Sequence, residues 1–199
     1  MLRAALAWPV MECWVNEEWE DPMQLNQVVV TRRNPATGEV MAGTYLVDRA
    51  CLGVKDAYAA NFANAKAFRR EMLAHLTKSQ KLIKIDFNLA AKIVEAGIEY
   101  AAQFGFRPHR DYREASILLQ DADLDAVDVE IAVGGPEGRP FFVAGPYDNA
   151  DKIMGQLAQK LSSEEFHYMM PVPADAEFLR ADTFDLDDVE YVELPDDAF

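Results

Sequence analysis

Cysteine is scarce in this sequence: 199 residues carry only Cys13 and Cys51. Two thiols make neither a disulfide framework nor a zinc ligand set, which suits a reducing compartment, and the expectation is the cytoplasm. Long apolar runs are missing too. No segment approaches the roughly 18 uninterrupted apolar residues of a membrane-spanning helix, so a membrane is not an expected partner. The opening MLRAALAWPVMEC has a short apolar run broken by Pro9 and Glu12, unlike a secretory signal. Gly-rich phosphate loops are absent as well: neither CLGVKD nor GGPEGRP has the glycine and lysine spacing that cradles a nucleotide phosphate. Positive charge is in deficit, with 19 Lys and Arg against 34 Asp and Glu and a net charge of −15. A field this negative repels nucleic acid, so direct nucleic-acid binding by the whole chain is not expected.

What charge there is has an order. Residues 66–113 carry 10 basic and 5 acidic side chains, whereas residues 175–199 carry 1 and 10. Half the residues are apolar, enough for one sizeable core. We therefore expect a single domain over residues 1–174 and an acidic C-terminal tail over 175–199. The basic middle supplies a candidate anion- or partner-binding face made of Arg69, Arg70, Lys78, Lys81, Arg107, Arg110 and Arg113. A tail folding back over that face, or reaching a second copy's, would give masking or a homo-oligomer. The expected partner is another protein, and no cofactor is expected.

Period-2 patterns predict strands at MECWV, LNQVVVTRR and VMAGTYLVD, with the turn NPATGE between the last two. Together they make a three-stranded antiparallel meander. Gly53 supplies a turn, and the Ala-rich VKDAYAANFANAKAFRREMLAHL reads as helix, broken near Asn61 and Asn64. Thus YLVDRACLGVKDAYA reads as a strand-to-helix junction. The clearest helix starts at Asp86 as N-cap and stops at Gly105, with Leu89, Ile93, Val94, Ile98 and Ala101 on one face. Asp111 and Glu114 have capping-box spacing for a short helix. DVEIAV and PFFVAG predict a later hairpin around GGPEGR, and DNADKIMGQLAQKLSS predicts an amphipathic helix capped by Asp148 or Asn149. EEFHYMMPV is a last short strand. The fold class is α+β, an antiparallel sheet of meander plus hairpin packed against about four helices.

Chemistry-bearing residues are few. Cys51, set before a predicted helix start and four residues from Lys55, is a candidate nucleophile, since a cation or helix N-terminus lowers a thiol's pKa. His109 lies among Arg107, Arg110 and Arg113, and with Asp111 it is a candidate acid–base pair. Asp121, Asp123 and Asp125 alternate as at the start of an EF-hand loop. Ala126 then stands where glycine is needed, and Ala132 where a bidentate Glu is needed. That leaves Asp121, Asp123 and Asp128 as a looser candidate metal set, with no metal expected. Three functions follow: a non-enzymatic interaction protein, favoured; a hydrolase or nuclease-like enzyme using His109 and Asp121/Asp123; and an acidic nucleic-acid mimic binding a basic partner.

CWVNEEW, VVVTRRNPATGEVMAGTYLVDRACLGVKDA, AAKIVEAGIEYAAQFGFRPHRDY and GRPFFVAGPYDNADKI resemble, in this order, a bacterial family of hypothetical proteins. LVDRACLGVKDA and FGFRPHRDY are the most specific pieces, and the resemblance spans residues 10–172. Some members of that family are fused to a Cys-rich, zinc-binding SEC-C segment. These 199 residues have an acidic stretch in that place, so no zinc site is implied. The resemblance implies a cytosolic domain with varied C-terminal extensions and assigns no catalytic residue.

Overall fold

A computed structural model describes residues 2–170. The chain divides into two units, Met1–Met169 and Met170–Phe199, and the fold below is that of the first. The expected tail at 175–199 lies outside the described residues.

After a short helix α1 (Leu2–Ala5), four strands run as an antiparallel meander: β1 (Val10–Asn16), β2 (Asn26–Arg33), β3 (Val40–Asp48) and β4 (Gly53–Phe62). A helical run follows, α2 (Ala65–Phe68) passing through a π-helical stretch, Arg69–Leu73, into α3 (Ala74–Leu76). Strand β5 (Leu82–Ile85) then pairs antiparallel with β1, so the sheet order is β4-β3-β2-β1-β5. Helix α4 (Phe87–Gln103) and the single turn α5 (Tyr112–Ala115) come next. A two-stranded parallel sheet of β6 (Phe141–Val143) and β7 (His167–Met169) flanks α6 (Ala150–Ala158). The α+β class follows directly.

Alternation along the strands splits the core between two faces. Val28, Val30, Tyr45 and Val47 pack with Cys13, Val15 and Ala57 against Ala90, Ile93 and Val94 of α4. Val29, Val40 and Ala42 point the other way and meet Phe68 and Met72. Ile93 and Val94 are wholly buried, each contributing about 1.5–3 kcal/mol. Asp86 caps α4, its side chain accepting from the N–H groups of Asn88 and Leu89. Gly105 (φ 83°) ends it in the left-handed region. The helix sits close because Gly97 faces the sheet: a Cβ there would meet Val47 Cγ1 at 2.5 Å.

The structure corrects two predicted elements. Residues 53–62 are strand, not helix, paired with β3 from Asp48↔Gly53 to Val40↔Phe62. Alanine favours helix only weakly, and the unpaired edge of β3 offers a full ladder that outweighs that preference. The helix begins later, where the Asn64 side chain accepts from Ala67 N. YLVDRACLGVKDAYA is therefore a strand-to-strand junction. The predicted DVEIAV/PFFVAG hairpin is not formed either. Residues 128–133 are irregular, held by buried Ile131 and by Ala132 O accepting from Arg49, while β6 pairs with β7. Asn149, not Asp148, caps α6.

Candidate functional site

The junction between β3 and β4 organises one end of the sheet. Asp48, the last residue of β3, turns its Oδ1 onto the N–H groups of Ala50 and Cys51 at 3.0 Å. This Asx-type turn lets the chain reverse within a few residues. Arg49 points inward and is fully buried. Its guanidinium donates to Asn26 Oδ1 (2.6 Å), Ala132 O (2.6 Å), Asp21 O (3.0 Å) and Trp19 O. Burial pushes its pKa down to about 10, with the Asp21 charge opposing. It ties the β1–β2 loop and the 127–135 segment to the sheet.

Lys55 is the extra residue of a β-bulge, because Leu46 pairs with Asp56 and Val47 with Val54. A bulge re-aims a side chain out of the strict alternation. The Lys55 ammonium lies 2.6 Å from Asp148 Oδ2, which also accepts from Gly145 N at 2.8 Å. Both partners are mostly buried, 17% and 12% exposed.

Beside them opens a cleft of about 670 Å³. Its walls come from the β1–β2 loop (Glu17, Glu18, Met23, Gln24, Leu25), the β3–β4 junction (Asp48, Ala50, Lys55), the approach to β5 (Ser79, Gln80, Lys81) and β6 with its exit (Phe141, Val143, Ala144, Gly145). Asp48 is 7% exposed. Burial lifts its carboxyl above the usual range, while the Lys55 charge and backbone N–H groups pull the other way. Glu17 is paired with Lys81 at the rim. The volume of the cleft lies within the range of small-ligand pockets.

The residues singled out in the sequence fall elsewhere, Lys55 and Lys81 excepted. Cys51 is fully buried, and burial, with the Asp48 charge adding, pushes its thiol far up. No helix starts beside it, and the Lys55 charge, which pulls the thiol down, is outweighed by burial and by Asp48. Cys13 is likewise pushed up to about 12 by burial. His109 Nδ1 lies 3.7 Å from both Asp56 and Asp111, so two acids stand beside it. Asp111 precedes α5 but makes no side-chain capping bond. Arg107 and Arg113 are exposed, and Arg110 lies 3.5 Å from Asp111.

The two basic stretches are on opposite sides of the sheet. Arg69 and Arg70 belong to the helix on the Val29–Val40 face, whereas the 107–119 segment packs through Tyr112 and Ala115 on the Val28–Tyr45 face. Much of the charge is also paired internally. Arg69 and Lys84 both bind Glu12, at 2.8 and 2.7 Å. Burial raises the Glu12 carboxyl, but the hydrogen bonds from Lys84 and Arg69 outweigh it and hold the group below its ordinary range. Arg70 pairs with Glu71, and Lys78 is exposed.

Among the metal candidates, Asp121 binds the buried Arg32, Asp123 caps its own turn through Asp125 N, and Asp128 is exposed near Lys92. Among the described residues no group of three His, Cys, Asp or Glu is placed to hold a metal ion. No described helix is long and apolar enough to cross a membrane. No family model, curated protein or solved structure matches this chain.

Sequence reasoning missed Asp48, Asp148 and Arg49. Asp48 showed only as a strand-ending residue and Asp148 only as a possible cap. The contact of Asp148 with Lys55 spans 93 residues of chain, and no local pattern encodes it.

Proposed function

We propose that this protein is a non-enzymatic binding protein that works through the cleft at the β3–β4 junction. The observation that carries this reading is a cleft bordered by the two charged groups Asp48 and Lys55, with Lys55 held in place by Asp148. Side chains that would otherwise suggest catalysis are used internally: Cys51 is core, Arg32 and Arg49 bond backbone carbonyls, and Asp121 closes on Arg32. Arg49 also ties the β1–β2 loop, one wall of the cleft, to the sheet, which favours binding by a preformed site.

The test recovers tagged protein from its own cells beside a Leu25→Arg/Val143→Arg variant. Both residues are exposed at the cleft, so the variant keeps its fold while filling the opening. Mass spectrometry of both eluates is expected to find a polypeptide or metabolite held stoichiometrically by the native protein and lost from the variant. A compound converted catalytically when added back to the native protein, or equal recovery with both proteins, overturns the reading.

A further inference from the structure

The cleft's charges do not balance once its ion pairs are assigned. Lys55 is taken by Asp148 and Lys81 by Glu17. That leaves Glu18, exposed at the rim, and Asp48, the inner carboxylate. Asp48 is the informative group: a charged side chain more than nine-tenths buried that lines an open cavity. Its hydrogen bonds come from backbone N–H groups, and among the described residues no Lys or Arg forms an ion pair with it. The Lys55 charge and the backbone N–H groups offset part of the cost of burying it, but the Lys55 ammonium is held at contact by Asp148, so Asp48 has no cation of its own at contact. Met23, Leu25, Phe141 and Val143 give the same cleft apolar walls.

We propose that the cleft binds an alkylammonium ligand, a linear aliphatic diamine, with one ammonium group at Asp48, its methylenes along the apolar walls and its second ammonium near Glu18. This rests on the reading of the cleft as the binding site. The same alkylammonium chemistry is offered by a lysine side chain of a polypeptide, and the test separates the two sources.

The experiment is calorimetric titration of the full-length chain, at near-physiological salt to screen the rest of its acidic surface. The probes are cadaverine, N-acetyl-lysine methylamide, pentanediol and glutarate. Cadaverine is expected to bind at one site. Asp48→Asn keeps the Oδ1 acceptor of the turn, and Glu18→Gln is exposed, so both variants fold. Asp48→Asn is expected to weaken cadaverine about tenfold or more, the loss of one charge-assisted contact, and Glu18→Gln about two- to fivefold, as for an exposed ion pair. Pentanediol and glutarate are expected not to bind. Tighter binding of cadaverine than of the lysine amide supports the free diamine. The reverse order supports a lysine side chain as source of the same ammonium group. No binding by either amine, binding of glutarate in their place, or cadaverine binding unchanged in both variants overturns the proposal. If a partner is nevertheless retained by the native protein and lost from the Leu25→Arg/Val143→Arg variant, the charge assignment alone has failed and the binding reading stands.

Discussion

Arg49 and Asp48 are neighbours in the chain and lie on opposite sides of a solvation problem. Arg49 carries its charge into the interior, where its donors meet three backbone carbonyls and one side-chain amide oxygen. Lysine has no planar fork to reproduce that set. Arg49→Lys and Arg49→Met are therefore each expected to lower the free energy of unfolding by at least about 3 kcal/mol, since several buried acceptors lose their donors at once. Chemical denaturation measures this directly, and a loss under about 1 kcal/mol would show that the carbonyls regain water. Asp48 instead keeps a carboxylate that burial disfavours. Because its folded pKa is raised, the folded state holds the proton more tightly than the unfolded chain does. Its ionisation therefore costs stability above the folded pKa, and that cost fades as the pH falls through it. Asp48→Asn is expected to gain stability relative to the native protein as pH rises from acid to neutral, and to lose the advantage in acid. Stability curves of both proteins against pH check the sign.

Among elements, the contact that sets the geometry is that of α4 against β3 and the β3–β4 junction. Gly97 backs onto Val47 and the Cα of Gly53, so helix and sheet approach at closer than side-chain distance. Helix propensity favours Gly97→Ala by about 1 kcal/mol. Overpacking against buried, β-branched Val47 costs about 1–3 kcal/mol. The second effect is the larger, and Gly97→Ala is expected to destabilise by about 1 kcal/mol, read as a lowered denaturation midpoint with unchanged slope. A stabilised variant would mean that α4 can lift off the sheet freely. The cleft moves with this junction, because Asp48, Ala50 and Lys55 all belong to it.

Taken whole, the molecule carries a net charge of −15, and its two basic stretches are divided by the sheet. Self-repulsion of that size weakens the compact state. Raising the salt concentration about tenfold from a low-salt buffer, within the range where screening is effective, is expected to raise the melting temperature. Thermal scans at two salt concentrations test it, and an unchanged or lower melting point would place the acids in compensating contacts.

The sequence alone determined what is periodic and local: the strands at 10–16, 26–33 and 40–48, the long helix with its Asp86 cap and Gly105 stop, the α6 helix and the α+β class. These rest on alternation, the helical period and capping chemistry, all of which act over a few residues. Tertiary structure decided the rest. The Ala-rich 53–62 segment is a strand because β3 offered an edge to pair with, and DVEIAV is irregular, with its Ala132 carbonyl bonded to Arg49. Cys51 is core rather than nucleophile because the chain reverses there instead of entering a helix. Lys55 meets Asp148, and Asp48 borders the cleft, only after segments far apart in sequence are brought to one end of the sheet. Pairings of that kind depend on which surfaces meet when the core closes, and a pattern read along the chain carries no record of them.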